Sequence, residues 1–131
     1  KDKTRSLGIK NIIEQMLKAN VHRLLAVAGM GILKDDEYEY IQNRKNYPAA
    51  FYYVSREHLQ AYMYMKESPL RWTLVCPPDI RNEDATGKYI TAADYPPSPN
   101  KYSISAGDIA DFLLNEVVNN HYECKRVGIS N

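Results

Sequence analysis

The chain has 131 residues, of which 44% are hydrophobic and 25% are charged, and its formal net charge at pH 7 is +1. This composition is that of an ordinary globular domain, and the length is sufficient for one hydrophobic core. Basic and acidic residues are interleaved, and no apolar run approaches the ~20 residues of a membrane span, which argues against a nucleic-acid partner and against a membrane partner.

The first half of the chain predicts helices and strands in alternation. In two segments, apolar residues recur at the three- and four-residue spacing of a helix with one buried face. Each segment is followed by a short, continuously apolar run typical of a buried strand. The predicted elements of this half are a helix over 4–19, a strand over 22–28, a helix over 48–67 and a strand over 71–76.

The strand over 71–76 ends on two consecutive prolines, Pro77 and Pro78. Proline has no N–H and a fixed φ, so this pair ends ladder pairing and stiffens the exit from the strand. Further along, Ser105 and Asp108 have the spacing of a capping box, which predicts the start of a third helix. The other predicted elements are a loop over 79–87, short strands over 88–92 and 101–104, and a last strand over 125–129.

The resulting order, α-β-α-β-β-β-α-β, is typical of an α/β fold, and we predict a Rossmann-like, doubly wound parallel sheet. The chain opens in a helix, although a βαβ unit begins with a strand. We therefore expect residues 1–131 to form a single domain that is the C-terminal half of an NAD(P)-binding Rossmann-like domain. We also expect an exposed sheet edge, which a missing N-terminal segment or the partner in a homodimer would cover.

Few residue patterns in the chain indicate chemistry by themselves. Neither G-x-G-x-x-G nor a P-loop is present, and Gly29-Met30-Gly31 alone is more typical of a flexible strand exit. His58 lies on the apolar face of the second helix, as a partly buried core histidine or as a proton donor at a pocket. No residue set has metal-ligand spacing, so we predict no metal site. Two cysteines without a C-x-x-C motif favour reduced thiols and a cytoplasmic location.

Four stretches together resemble a known family. Those stretches are SLGIKNIIEQMLKANVHRLLAVAG, EHLQAYMYMKESPLRWTLVCPPDI, DATGKYITA and ISAGDIADFLLNEV. They resemble helices, strands and a late hairpin in the C-terminal part of atypical short-chain dehydrogenase/reductases. Within that family, the NAD(P)H-binding flavin reductase and biliverdin reductase B type is the most similar. The resemblance covers nearly the whole chain, and the glycine-rich loop of the family would lie upstream of Lys1.

The resemblance implies a cofactor site at the ends of two strands, with NADP or NAD as the cofactor. Pro77 and Pro78 match the diproline that borders the nicotinamide, and Ile80 follows in the same wall. Ala28 and Gly29 fall where many relatives have Ser or Thr, so a hydroxyl that orients substrate or nicotinamide is missing. The rigid strand exit would then form one wall of the cofactor site.

The resemblance also implies two accessory proton sources. His58 matches a helix histidine of the group, and Asp79 falls where the biliverdin reductase B type has a histidine. We predict an NAD(P)H-dependent oxidoreductase that reduces a flavin, a quinone or a similar small acceptor by hydride transfer. We expect the 131 residues alone to be inactive.

The missing hydroxyl leaves an alternative open, a non-catalytic NAD(P)-sensing or protein-interaction module on the same fold. A third function, sugar-nucleotide epimerisation, is disfavoured because the second helix has no Tyr-x-x-x-Lys pair. Arginine and glutamate stand where that pair needs lysine, at Arg56 and Glu57.

Overall fold

A computed structural model describes residues 2–131 and contains three α-helices and six strands. The helices are α1 (Thr4–Lys18), α2 (Ala49–Glu67) and α3 (Ala106–Asn119). The strands are β1 (Arg23–Val27), β2 (Arg71–Cys76), β3 (Asp79–Arg81), β4 (Ile90–Ala93), β5 (Ser103–Ser105) and β6 (Lys125–Ser130). Among the residues described, no helix is long and apolar enough to cross a lipid bilayer.

The main sheet has the strand order β1-β2-β6-β4. Strands β1, β2 and β6 are parallel, with Val27 opposite Val75 and Cys76 opposite Gly128, whereas β4 runs antiparallel at the edge. Strands β3 and β5 form a separate parallel pair. The predicted mixed α/β, Rossmann-like fold is confirmed, and residues 71–76 form a strand with a parallel neighbour on each side.

Two hydrophobic clusters pack on opposite faces of this sheet, because successive side chains of a strand point to opposite faces. On one face, β1 and β2 pack against α1 and α2, and the buried members of this cluster include Ile13, Tyr62, Met65, Trp72, Leu74 and Cys76. On the other face, β2 and β6 pack against α3, and the buried members are Val75, Ile104, Ile109, Phe112, Val127 and Ile129. Helices therefore cover both faces, as the predicted double winding requires.

Ser105 is the N-cap of α3, as predicted, but only half of the predicted capping box forms, because the Ser105 N–H donates to the Asn131 side chain at 2.8 Å. The Ser105 hydroxyl accepts a hydrogen bond from the Asp108 N–H at 3.0 Å and donates one to the Asp108 carboxylate at 2.8 Å. That fully buried carboxylate also accepts bonds from Thr86, Gly87 and Asn131. One side chain therefore joins the helix start, the preceding loop and the end of β6.

Three local predictions were wrong. The loop predicted over 79–87 begins instead as β3, because the Pro77-Pro78 corner ends pairing only with the main sheet and β3 then pairs with β5. The late hairpin is absent from the residues described, since β4 pairs with β6 and β5 with β3. The helix predicted over 48–67 begins one residue later than predicted, because Pro48 is the N-cap of α2 and Ala49 is its first residue.

Several apolar side chains stay exposed on β1, α1 and α3. Ile12 and Leu17 belong to the apolar residues whose helical spacing predicted one buried face for the helix over 4–19, yet they are 46% and 39% exposed. Val117 on α3 is 54% exposed and Val27 on β1 is 44% exposed. The spacing therefore identified the helices correctly but predicted a wider buried face than either helix has.

Candidate functional site

The carboxyl ends of β1 and β2 are joined by backbone hydrogen bonds that continue past both strands. The Ala28 N–H donates to the Val75 carbonyl at 2.8 Å, and the Met30 N–H donates to the Pro77 carbonyl at 3.0 Å. These bonds bring the Ala28-Gly29 segment beside Pro77 at the edge of a parallel sheet where α/β proteins bind ligands. The structure thus brings together three of the residues that the sequence predicted to contact cofactor.

A cavity of about 200 Å³ opens beside Ala28, between the sheet and helices α1 and α2. Its lining is largely apolar, with Arg5 and His58 as the two charged or titratable side chains. The lining residues are Arg5, Ile9, Ala26, Val27, Ala28, His58, Ala61, Met65 and Leu74. Ligand pockets typically combine such apolar walls with a few polar groups that fix orientation.

His58 is half-buried in the wall of this cavity. Burial lowers the pKa of its imidazole, the Arg5 guanidinium lowers it further, and the Glu57 carboxylate opposes this shift. The ring is therefore neutral at pH 7, and within residues 2–131 it has no hydrogen-bond partner. Both sequence-based interpretations agree with this position, because the same ring packs on the helix and faces a pocket.

Gly29 lies directly against His58. A Cβ placed on Gly29 would be 3.4 Å from the imidazole Cδ2 and 3.7 Å from Nε2. Its backbone has φ −150° and ψ 160°, an extended conformation that any residue can adopt. Conformation therefore does not demand glycine here, and the missing side chain leaves one edge of the His58 ring uncovered.

None of the three residues that follow Pro77 lines this cavity. Pro78 is half-buried and turns the chain into β3, where Asp79 and Ile80 are exposed. Neither Asp79 nor Ile80 lines the cavity, and no hydrogen bond joins Asp79 to His58. The two predicted proton sources therefore do not form one cluster, and the roles of Asp79 and Ile80 remain predictions.

Sequence reasoning missed two features of this site. Glu57 on α2 is buried, and its carboxylate accepts hydrogen bonds from the Ser6 N–H and hydroxyl at distances of 2.9–3.2 Å. This contact fixes α1 against α2 beside the cavity. Arg5 precedes Ser6 and is one of the residues that line the cavity, and its guanidinium is close enough to His58 to lower the pKa of that imidazole. No periodicity signals either contact, because both depend on how two helices meet.

Comparison with known proteins decides the family. Residues 1–120 match the family model described as "NAD(P)H-binding". The chain belongs to this NAD(P)H-binding family. The cofactor predicted from the resemblance, NADP or NAD, is the one that the family binds.

Several solved structures have the same fold, and their chains are longer than this one. The chain is similar to a "putative exported protein" from Burkholderia pseudomallei, with 23% identity and a TM-score of 0.88 over 100% of this chain and 66% of that chain. It is also similar to a "putative NADH-flavin reductase" from Streptococcus pneumoniae, with 25% identity and a TM-score of 0.82 over 98% and 65%. An anaerobilin reductase from Escherichia coli O157:H7 matches at 18% identity and a TM-score of 0.77 over 97% and 58%. The chain thus spans about two thirds of these chains or less.

The residues at the carboxyl ends of β1 and β2 fit the nicotinamide end of NAD(P)H. Ala28 and Pro77 are buried and contribute apolar atoms to this edge, whereas the half-buried Gly29 leaves part of its backbone accessible, and this combination fits the face of a nicotinamide ring. The 131 residues contain no G-x-G-x-x-G turn for a pyrophosphate. The contact of Ala28, Gly29 and Pro77 with a nicotinamide stays a prediction.

Proposed function

We propose that the protein is an NAD(P)H-dependent reductase that transfers hydride to a small planar acceptor, a flavin or a quinone. The observation that supports this most directly is the apolar cavity beside Ala28 and Gly29, at the carboxyl ends of two parallel strands. A family that binds NAD(P)H and a 25% identical relative described as an NADH-flavin reductase support the same reaction class.

In this proposal the chain binds and orients, and the bound NAD(P)H supplies the hydride. Ala28, Gly29 and Pro77 hold one face of the nicotinamide, with Pro78 and Ile80 in the same wall. The cavity under α1 and α2 receives the acceptor and excludes water from its apolar walls. Flavins and quinones need little acid catalysis, so the absence of a hydroxyl at Ala28 and Gly29 is compatible with their reduction.

His58 is the proposed proton source for the reduced acceptor, since its ring lines the cavity that receives the acceptor. Its lowered pKa leaves the proton-donating form scarce at pH 7, so the acceptors reduced fastest there would be those that take their proton from water. Asp79 is a second proposed source, but its exposed position on β3 gives it no contact with the cavity wall.

The test is acceptor-dependent loss of nicotinamide absorbance. The intact protein is mixed with NADPH or NADH and with riboflavin, FMN or 2-methyl-1,4-naphthoquinone, and the initial rate is followed. We expect oxidation that requires both protein and acceptor. A protein that binds the dinucleotide but transfers no hydride to any of these acceptors would refute the proposal.

A non-catalytic sensor of NAD(P) is the second candidate. One observation favours it: the Ala28-Gly29 segment has no hydroxyl, and His58 opposite has no hydrogen-bond partner in the part of the chain that the structure describes. A sensor needs the apolar nicotinamide wall without any proton donor. Dinucleotide binding without turnover in the same assay would support this function.

A further inference from the structure

Beyond the reaction class, the cavity itself indicates which acceptors it takes. We infer that Arg5 binds an anionic group, a phosphate or a carboxylate, on an acceptor whose planar apolar part occupies the cavity beside His58. This inference rests on the proposed function and adds the charge of the substrate to it.

Arg5 differs in charge from the other residues that line the cavity. Of the nine lining residues, seven are apolar, and Arg5 carries the single permanent charge. A guanidinium keeps its charge at all accessible pH values and presents a planar fork that matches carboxylate and phosphate oxygens. An apolar cavity with an arginine among its lining residues, whose charge acts on the His58 ring, therefore suits a planar ligand with an anionic substituent.

Within residues 2–131 Arg5 has no hydrogen bond or ion pair, although the Asp2 carboxylate is close enough for the two charges to interact. The Glu57 carboxylate is occupied by the Ser6 N–H and hydroxyl, and the Asp2 carboxylate accepts from the Thr4 N–H at 2.8 Å and from the Thr4 hydroxyl. Neither makes an ion pair with the guanidinium. Arg5 keeps its hydrogen-bonding capacity for a group that enters from solvent.

The cavity is too small to enclose a whole acceptor. The cavity volume of about 200 Å³ is below the roughly 300–1,000 Å³ of pockets that enclose a whole drug-sized ligand. Only part of a flavin or a substituted quinone fits inside, so the rest extends towards the mouth. Arg5 belongs to the first turn of α1 and is exposed, so it can meet a substituent that emerges there.

Two pairs of acceptors test this. FMN and riboflavin share the same ring system and differ by a phosphate. A 2-carboxyalkyl-1,4-naphthoquinone and 2-methyl-1,4-naphthoquinone differ by a carboxylate. Each is titrated against the intact protein by fluorescence quenching, and each is assayed with NADPH. We expect the charged member of at least one pair to bind about tenfold more tightly than its uncharged counterpart, as one charge-assisted contact allows. The pair that shows this difference identifies the anion as a phosphate or a carboxylate.

Arg5→Gln should remove that preference and leave binding of the uncharged members unchanged, and Arg5→Lys should restore it in part. Arg56→Gln is the matched control, because Arg56 is an exposed arginine on α2 that contacts Tyr52 and does not line the cavity. The KM for NADPH should be the same in all three variants.

Equal affinities within both pairs, or an Arg5→Gln effect on NADPH alone, would overturn the inference. These outcomes are separable from failure of the proposed function. If riboflavin and the methylnaphthoquinone are reduced without any anion preference, the reductase proposal stands and this inference fails. If FMN binds in preference to riboflavin but no hydride is transferred, the inference stands and the reductase proposal fails.

Discussion

Gly29 and His58 face each other across the end of β1, with 3.4 Å between the position of a Cβ on Gly29 and the imidazole Cδ2. A serine at position 29 would therefore place a hydroxyl beside the ring without backbone strain. We expect Gly29→Ser to raise kcat for a quinone by no more than about threefold, far below the 10²–10⁴-fold that a positioned donor can contribute, because quinones need little acid catalysis.

The matched control is Gly29→Ala, which adds the Cβ without a donor. Steady-state kinetics with 2-methyl-1,4-naphthoquinone would measure both variants. Equal kcat values for the serine and alanine variants would show that a hydroxyl here does not take part in the reaction.

His58 is predicted to give the reaction a pH dependence. Burial and Arg5 lower the pKa of its imidazole below 6.5, so the proton-donating form appears only as pH falls through that lowered value. For an acceptor that takes its proton from His58, the wild-type rate should rise with falling pH below 6.5. In His58→Gln this rise should be lost, and a profile identical to that of the wild type would remove His58 as a proton donor.

The lowered pKa of His58 also predicts that the folded protein becomes less stable as pH falls, whereas the rate rises. The unfolded chain binds a proton at His58 more readily than the folded chain, so stability is fully present above pH 6.5 and declines as pH falls through the lowered pKa. Urea denaturation at a series of pH values should show a smaller decline for His58→Gln. A larger decline in the variant would contradict the burial argument.

Asp108 should be among the residues on which stability depends most. Burial raises the pKa of this carboxyl, but hydrogen bonds from Asn131, Thr86, Ser105 and Gly87 outweigh burial and hold it well below 3.8. Asp108→Asn replaces one hydrogen-bond-accepting carboxylate oxygen with an amide NH₂. This NH₂ would face the N–H and O–H groups that now donate to the carboxylate, and none of them could bond to it. We expect a loss of about 3 kcal/mol in the free energy of unfolding.

Asp111→Asn is the control for Asp108→Asn, because among residues 2–131 the half-buried Asp111 accepts hydrogen bonds from Tyr89 and Asn115 alone. Its cost should stay below about 1 kcal/mol. Because folding lowers the pKa of Asp108, the stability that its carboxylate contributes is complete above pH 3.8 and is lost as pH falls further. Equal losses in the two variants would contradict the account of this hydrogen-bonded cluster.

Two helical glycines make a further matched pair. A Cβ on Gly107 would lie 2.0 Å from the Ala85 backbone nitrogen, whereas a Cβ on Gly8 would meet nothing within 4 Å. We expect Gly107→Ala to destabilise by about 2 kcal/mol or more and Gly8→Ala to stabilise by about 0.5–1 kcal/mol. Thermal melts of the two variants that shift in the same direction would refute the close approach of loop and helix.

Much of the fold was predictable because its main signals are local. Apolar spacing at three and four residues located α1 and α2, and the Ser105–Asp108 capping box located α3, since each pattern depends on neighbours in the chain. The strand over 71–76 was predictable as a buried central strand for the same reason. Its continuation into β3 was not, because the partner of Asp79 is Ser103, and spacing along one segment cannot reveal a pairing so distant in sequence.

The site was predictable only in part, and for the same reason. Ala28, Gly29 and Pro77 follow strands that are parallel neighbours, so a resemblance at those strand ends located them together. Arg5 and Glu57 carry no such signal, because their positions depend on the contact between α1 and α2. Asp79 was expected to be an accessory proton source because the resemblance aligns it with a histidine, but the turn at Pro78 carries it onto the second, smaller sheet.

The central claim is that a nicotinamide rests where β1 and β2 end, beside the cavity that His58 lines. The most direct test is a structure of the intact protein with NADP bound. We predict that the nicotinamide ring contacts Ala28, Gly29 or Pro77 at van der Waals distance, about 4 Å, with its reactive face towards the cavity. A nicotinamide bound away from these strand ends, or a face turned from the cavity, would contradict the account.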